Sequence, residues 1–270
     1  MSEQDKHQAR IFLHRGDILQ ARACWESAVA DDRLSGDRPA LSDSLGNLGN
    51  ACALAGDYPA AELCYREVLS IQRGEQDMRA VAHTLVNLGN LHVGAGSPEK
   101  AHAYYLEALD LLTPLADHRA LGILYHNLAL EEARRHQWDD AIATFKQALE
   151  QHRLVGNEDG LAVTYSQLGK AFLDSGRATE AERCFNNASE HFIKLGNEVG
   201  EAACLRLLGD IYRQRENLLA AIRCLERVVF LDTHYRLPTL SDDSRLLDQL
   251  RAHGSARLAC DREPPSGAGP

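Results

Sequence analysis

The sequence predicts an all-α fold, an α-solenoid of six helical hairpins followed by a C-terminal capping helix. Three observations predict it: the pattern repeats every 40 residues, apolar residues recur at helical spacing within each repeat, and glycines interrupt the pattern at fixed positions. The chain has 270 residues, of which 44 % are hydrophobic and 25 % charged. This is the composition of an ordinary soluble protein.

The repeat is most visible in an alanine that returns at every fortieth position: Ala21, Ala61, Ala101, Ala141, Ala181 and Ala221. A bulky apolar residue follows each alanine by four positions: Trp25, Tyr65, Tyr105, Phe145, Phe185 and Leu225. Twelve positions before each alanine lies a very small residue: Ala9, Gly49, Gly89, Ala129, Gly169 or Gly209. Because helices approach closely only where neither carries a large side chain, these small residues predict the contact within a hairpin.

Each repeat is predicted to be a pair of helices. In the second repeat the first helix covers about residues 39–54 and the second covers about residues 59–72. The break within a hairpin is predicted at Gly16, Gly56, Gly96 and Gly176, because a left-handed turn favours glycine. The breaks between hairpins are followed by residues suited to cap the next helix: Asp37, Asp77, Asp117, Asn157 and Asn197.

The period divides residues 1–240 into six units: 2–41, 42–81, 82–121, 122–161, 162–201 and 202–241. Ser241 and the two aspartates after it predict the start of a capping helix over 241–254. In this helix Leu246, Leu247 and Leu250 are expected to face the last repeat. Residues 255–270 contain too few apolar side chains to be buried and are predicted to be a flexible tail.

This pattern resembles the tetratricopeptide repeat, whose signature is W-x2-L-G-x2-Y…A-x3-F…P. The resemblance extends over about nine-tenths of the chain. The family repeat is usually about 34 residues long and ends in a proline, whereas this repeat has 40 residues and lacks that proline. It is similar to the longer-helix subclass found in spindle-orientation adaptors and kinesin light chains. The resemblance implies a right-handed superhelix, and a non-catalytic adaptor that binds an extended peptide of a protein partner in its concave groove.

Amide side chains recur on the polar face of the first helices, where Asn-Leu-Gly-Asn occupies 47–50 and again 87–90. The resemblance places four of these amides as successive rungs in the groove, with Asn50 and Asn90 beside them: Asn47, Asn87, Asn127 and Gln167. A carboxamide both donates and accepts, so it can bond the backbone of an extended peptide whatever the peptide's side chains. The alternative interpretation is that asparagine is a polar residue tolerated on a solvated face.

Cations on the first helices suggest that the partner segment is acidic. The four relevant residues are Arg134, Lys170, Arg206 and Arg213, and the first three step back by one helical turn per repeat. This diagonal favours docking of an acidic segment against the last three units. The competing interpretation is that Arg206 and Arg213 form ion pairs with Asp210 on their own helix.

Two further sets of residues have the chemistry of a site. His92 and Glu132 share a position that is apolar or cysteine in most other repeats, so they are expected either to form a buried polar contact or to hold a ligand. Four cysteines share another position: Cys24, Cys64, Cys184 and Cys224. Neighbouring repeats are about 10 Å apart, too far for disulfides, and a line of thiols does not surround one metal ion. The cysteines are therefore predicted to pack as small apolar side chains.

Charge and motifs exclude several functions. A net charge of −10 argues against a protein that coats nucleic acid. The polar N-terminus and the lack of a long apolar run predict a cytoplasmic protein without a membrane partner. No phosphate loop, nucleophile elbow or metal-ligand spacing is found, so neither catalysis nor a cofactor is expected. Beside the adaptor, three functions stay open: a peptide-sensing signalling regulator, a self-assembling scaffold and an assembly chaperone.

Overall fold

The computed structural model describes residues 2–235 and 239–260. Thirteen α-helices and no strand are found in these two ranges, which confirms the all-α prediction. None of these helices is long and apolar enough to cross a membrane. The helices are α1 Ser2–Arg15, α2 Ile18–Ser35, α3 Arg38–Leu54, α4 Tyr58–Gly74, α5 Met78–Gly94, α6 Pro98–Leu115, α7 His118–Arg134, α8 Trp138–Leu154, α9 Glu158–Asp174, α10 Ala178–Lys194, α11 Glu198–Gln214, α12 Leu218–Tyr235 and α13 Leu240–Cys260.

The chain divides into two compact units, Met1–Arg135 with α1 to α7 and His136–Pro270 with α8 to α13. Within each unit every helix packs against the helix that follows it in the chain. Packing between sequence neighbours is the defining property of a solenoid. The predicted solenoid architecture is therefore found in both units.

The close approach predicted within the hairpins is present. A Cβ atom at Gly89 would lie 2.2 Å from Cε1 of Tyr105. The corresponding distances to the opposing aromatic ring are 2.8 Å at Gly49 and 2.7 Å at Gly169. At Gly209 the opposing residue is a leucine, and the nearest atom would be 3.7 Å away, an ordinary contact. At Gly49, Gly89 and Gly169 the ring thus occupies the space of a Cβ atom, whereas the repeats with Trp25 and Phe145 carry alanine at this position, Ala9 and Ala129.

The predicted turns have the expected backbone. Seven glycines have φ between +61° and +79°: Gly16, Gly36, Gly56, Gly96, Gly156, Gly176 and Gly196. Four other residues adopt the left-handed conformation without being glycine: Gln76, Ala116, His136 and Glu216. The predicted caps accept a hydrogen bond from the N–H three residues ahead, at 2.9–3.1 Å: Asp37, Asp77, Asp117, Asn157 and Asn197. The cap identifies the start of these five first helices, including those after Gln76 and Ala116, where the turn lacks glycine.

The first helix predicted over about residues 39–54 is α3, Arg38–Leu54. One sequence-derived boundary differs from the structure. The capping helix α13 spans Leu240–Cys260, so the predicted end at Gly254 and the predicted tail are wrong for residues 255–260. A single glycine costs a helix only about 1 kcal/mol and does not end it by itself. The rest of the predicted tail, 261–270, lies outside the described residues.

The capping helix packs as predicted. Leu247 and Leu250 are buried against Ala221 and Leu225 of α12, and Leu246 packs against the same cluster. These contacts cover the apolar face of the last hairpin, which would otherwise be exposed at the end of the stack.

The cysteines of the second helices also pack as predicted. Cys24 and Cys64 lie against the hydrophobic core of the first unit. Burial raises the pKa of Cys64 to about 11, and it raises the pKa of Cys184 to about 11 as well. A thiol with a raised pKa stays protonated at neutral pH and is a poor nucleophile or metal ligand.

Candidate binding surface

The amides predicted to line a groove in the first unit lie on three first helices, α3, α5 and α7. Asn47 and Asn50 are three residues apart on α3, as Asn87 and Asn90 are on α5, so each pair shares one face of its helix. Asn50 and Asn90 are exposed, whereas Asn47, Asn87 and Asn127 are half-buried. This group of five asparagines is called the amide surface below.

Two asparagines of the amide surface are held by tyrosines from the hairpin contact. The hydroxyl of Tyr65 donates a hydrogen bond to Oδ1 of Asn50 at 2.6 Å, and that of Tyr105 donates to Oδ1 of Asn90 at 2.6 Å. Each tyrosine therefore packs its ring in the hairpin core and presents its hydroxyl at the polar face. The bond fixes the amide with its carbonyl toward the tyrosine, which leaves the NH2 group as the remaining donor.

A further hydrogen bond links two neighbouring first helices. Nδ2 of Asn127 on α7 donates to Oδ1 of Asn90 on α5 at 2.9 Å. Asn47 instead donates to the backbone carbonyl of Asp43, at 2.8 Å, on its own helix. Among the described residues no hydrogen bond is found for the side chain of Asn87. The amide surface is thus partly cross-linked, and Asn87 offers both its donor and its acceptor groups.

The Tyr–Asn bond was not among the predictions from the sequence, although the sequence contains a signal for it. Asparagine precedes the bulky residue by 15 positions only where that residue is tyrosine, at 50 and 90. Where the bulky residue is Phe145 or Phe185, which has no hydroxyl, the corresponding residue is Leu130 or Lys170. The occurrence of asparagine only together with tyrosine on the opposing helix therefore indicates a hydrogen bond between the two side chains.

The remaining predicted amide and one predicted cation lie in the second unit. Gln167 on α9 is half-buried and Lys170, on the same helix, is exposed. No ion pair of Lys170 is found among the described residues. In this unit the helix therefore presents one amide and one cation to solvent.

The other predicted cations have intramolecular partners. Nη1 of Arg134 lies 3.7 Å from Glu131, and Nη2 of Arg213 lies 3.0 Å from Asp210. The pairing interpretation is therefore correct for Arg213. Both arginines remain exposed. Glu131 is buried, whereas Arg213 and Asp210 form an exposed pair of the kind that contributes little to stability.

Arg206 requires a correction. Its guanidinium donates to both carboxylate oxygens of Asp232 at 2.6 and 2.7 Å, and to Oδ2 of Asp243 at 2.9 Å. A further bond of 2.8 Å reaches Thr239. Arg206 thus links α11 to α12 and to the capping helix. It neither pairs with Asp210 nor is available to an acidic partner segment. It is removed from the candidate binding residues.

His92 is a buried residue without a hydrogen-bond partner. It is 4 % exposed, neither ring nitrogen makes a hydrogen bond, and its ring stacks on Tyr104 with centroids 5.4 Å apart. A carboxylate oxygen of Glu62 lies 3.8 Å from Nε2, so the carboxylate beside it is Glu62 and not Glu132. Burial lowers the pKa of His92, with the charge of Glu62 acting in the opposite direction. The ring packs as an aromatic side chain, so the satisfied polar contact expected from the sequence is not found for His92 among the described residues.

We expect His92 to make stability depend on pH. Its pKa in the folded chain is lower than in the unfolded chain, where it is about 6.5. Its contribution is therefore fully present above that value and is lost as the pH falls through the folded pKa. Urea unfolding between about pH 5 and pH 8 should show a smaller acid loss for His92→Phe than for the wild type. His14→Gln, at an exposed position, is the control; parallel profiles for wild type and His92→Phe would contradict the assignment.

Comparison with known proteins agrees with the repeat analysis. A tetratricopeptide repeat model matches residues 6–74, 80–153, 121–194 and 160–229. No curated protein matches the chain in a direct comparison.

Solved structures share the fold. BtubC (BKLC) from P. vanneervenii is 20 % identical with a TM-score of 0.75, over 81 % of this chain and 92 % of that one. A kinesin light chain-like repeat protein from Podosopora anserina is 16 % identical with a TM-score of 0.58, over 72 % and 95 %. A STAND signal-transduction ATPase with a tetratricopeptide repeat sensor, from Pyrococcus horikoshii, is 15 % identical with a TM-score of 0.78, over 91 % of this chain but 38 % of that one. At such identities the likeness shows the fold alone.

Proposed function

The chain belongs to the tetratricopeptide repeat family, whose members are scaffolds for protein interactions, and we propose that it is a non-catalytic adaptor. We propose further that an extended peptide segment of a protein partner binds to the amide surface on α3, α5 and α7. The observation that carries this proposal is the pair of Tyr–Asn hydrogen bonds, which orient Asn50 and Asn90.

Orientation matters because binding must repay the entropy lost by the groups that become ordered. The amides of Asn50 and Asn90 are already fixed by Tyr65 and Tyr105, so their NH2 groups are positioned before a ligand arrives. Peptide carbonyl oxygens accept hydrogen bonds from such donors. Asn87 can also accept from a peptide N–H, since its carbonyl oxygen is not engaged. Donors and acceptors on neighbouring first helices match the alternating groups of an extended backbone.

The strength of such binding is limited. Each hydrogen bond contributes about 0.5–1.5 kcal/mol net, so the amide surface alone supplies a few kcal/mol. Contacts to the peptide's side chains must therefore provide the rest of the affinity and the specificity. Arg134 is the exposed predicted cation in the same unit as the amide surface, and it would favour an acidic segment after release from Glu131. Lys170 and Arg213 belong to the second unit.

The test compares one double variant and one single variant with the wild type. Peptides are selected from a random display library on the full wild-type chain, and their dissociation constants are then measured for all three proteins. Asn87→Ala/Asn127→Ala is expected to weaken binding by about tenfold or more, since two hydrogen bonds are lost. The control is Asn187→Ala, an exposed asparagine on the second helix α10, which should bind as the wild type does.

Two results would count against the proposal. Equal affinity of the double variant and the wild type would move the binding site away from the amide surface. A large fall in melting temperature would mean that Asn87 and Asn127 serve the fold. A peptide-sensing regulator would use the same surface, and compaction in solution scattering on addition of the selected peptide would distinguish it from a passive adaptor.

A further inference from the structure

The last hairpin departs from the others at one exposed position of its second helix. In five repeats this position holds a small or acidic residue: Ala30, Ser70, Asp110, Glu150 and Glu190. In the last repeat it holds Phe230, whose side chain is 61 % exposed. The repeat fold does not require an exposed aromatic ring here, because the equivalent helices of other repeats carry glutamate at this position. It indicates a contact made by this repeat alone.

Phe230 borders a cleft between α12 and the capping helix α13. The cleft has a volume of about 720 Å³ and is lined by Glu226, Val229, Phe230, Thr233, His234, Leu247 and Arg251. Its walls are joined by the ion pair of Arg251 with Glu226, at 2.7 Å. The guanidinium of Arg227 lies over the Phe230 ring, 5.4 Å from its centroid, on the neighbouring turn of α12. The ring therefore stands beside an open cleft and does not fill it.

The position of α13 explains why the cleft is open. α13 packs on α12 as α11 packs on α10, and it receives the Arg206–Asp243 ion pair from the preceding first helix. It thus occupies the place of the first helix of a further hairpin. In the earlier hairpins of this unit a second helix packs on the first helix that precedes it, and no second helix follows α13 in the described residues. The side that such a helix would cover is exposed at the cleft.

We propose that this C-terminal face, formed by the cleft residues, is a homodimer interface. It pairs with the same face of a second copy about a twofold axis, with Phe230 of each copy in the cleft of the other. A twofold interface requires one surface that is complementary to itself. This face has a protruding aromatic side chain and a cleft next to it, together with one acidic and one basic side chain, Glu226 and Arg251, that can exchange partners across the axis. An aromatic anchor entering a pocket is typical of residues that dominate binding energy.

Sedimentation of the full chain from micromolar to several hundred micromolar concentration tests the proposal. The wild type is expected to form a dimer of the 29.8 kDa chain as the concentration rises. Phe230→Glu introduces a residue that Glu150 and Glu190 already provide at this position, so the helix should tolerate it. The dissociation constant is expected to rise by at least about thirtyfold. The matched control is Leu219→Glu, an equally exposed apolar residue of α12 outside the cleft, which should dimerise as the wild type does.

A second measurement tests the face without altering Phe230. Glu226→Arg and Arg251→Glu each give the face charges of one sign, so each variant alone should dimerise less than the wild type. Mixed together, the two variants should form heterodimers, because opposite charges then meet across the axis.

A wild type that stays monomeric throughout the range would overturn the proposal, as would a dimer that Phe230→Glu leaves unchanged. In either case the cleft would not be a homodimer interface, and it would bind either an unrelated helical partner or no partner. The proposal is independent of peptide binding at the amide surface, since none of the substituted residues belongs to that surface.

Discussion

Gly89→Ala is expected to lower the free energy of unfolding by about 2–3 kcal/mol, the usual cost of forcing an extra group into a packed core. The added Cβ atom would lie 2.2 Å from Cε1 of Tyr105. The tyrosine ring is 1 % exposed, so it has no space into which to move. Any displacement also strains the hydrogen bond of its hydroxyl to Asn90, which orients the amide surface. The substitution is therefore expected to weaken both the hairpin and peptide binding.

The chain provides its own control for this prediction. Gly209→Ala makes the same change where the nearest atom is 3.7 Å away. Because alanine is favoured over glycine in a helix by about 0.5–1 kcal/mol, this variant should be as stable as the wild type or slightly more so. Tyr105→Leu combined with Gly89→Ala copies the arrangement of the Gly209→Ala variant, an alanine opposite a leucine, and should recover part of the loss. Urea unfolding followed by circular dichroism measures all of these changes. Similar effects of alanine at 89 and at 209 would show that close approach does not determine the hairpin spacing.

The fold was predictable because each structural position is sampled in six repeats. A small residue opposite a bulky one, repeated every 40 residues, identifies the hairpin contact even where single repeats deviate. Deviations were not predictable in the same way. Gln76 and Ala116 adopt left-handed turns without glycine, because the packed hairpins on both sides fix the turn. The end of α13 was misplaced, since a repeat frame specifies a period and not the ends of helices.

The candidate site was predictable in its residue types but not in its hydrogen bonds. Periodicity places Asn50 and Asn90 on one face, whereas their orientation depends on tyrosines from another helix. Arg206 was misassigned for a related reason. The repeat pattern describes each hairpin as if its neighbour were another hairpin, and the last hairpin instead meets the capping helix with its own acidic residue, Asp243. Residues at the end of a repeat stack therefore need a separate interpretation.

The ion pairs of Arg206 lead to the second large prediction. Asp232 is 0 % exposed and receives two of the arginine's hydrogen bonds, while Asp243 receives a third from the same guanidinium. Arg206→Ala would leave two carboxylates close together, with Thr239 as the remaining donor to Asp232 at 2.9 Å. Removing one partner of a buried ion pair costs about 3–5 kcal/mol, because the other charge stays buried. We expect a loss of this size from the stability of the second unit.

The loss caused by Arg206→Ala should also depend on pH. Burial raises the pKa of Asp243 even though the arginine opposes this effect. Without the arginine the folded pKa rises further, so the folded state binds a proton more tightly than the unfolded state. The variant should then approach the stability of the wild type at acidic pH, and the deficit should grow as the pH rises through the folded pKa. Measuring the free energy of unfolding of both proteins in urea at several pH values shows directly whether the deficit grows or shrinks as the pH rises.

The matched control for Arg206→Ala is Arg213→Ala, which removes the exposed pair with Asp210 on the same helix. Such pairs contribute about 1 kcal/mol or less, so this variant should be close to the wild type. Hydrogen exchange locates the effect: the amides of α13 should exchange faster in Arg206→Ala and normally in Arg213→Ala, because Arg206 is hydrogen-bonded to Asp243 of the capping helix, whereas Arg213 is bonded to Asp210 on its own helix. Replacing Arg206, Asp232 and Asp243 together by apolar residues should recover much of the stability, since no buried charge then lacks a partner. Equal effects at 206 and 213 would instead mean that the leucines of α13, and not the ion pairs, hold the capping helix in place.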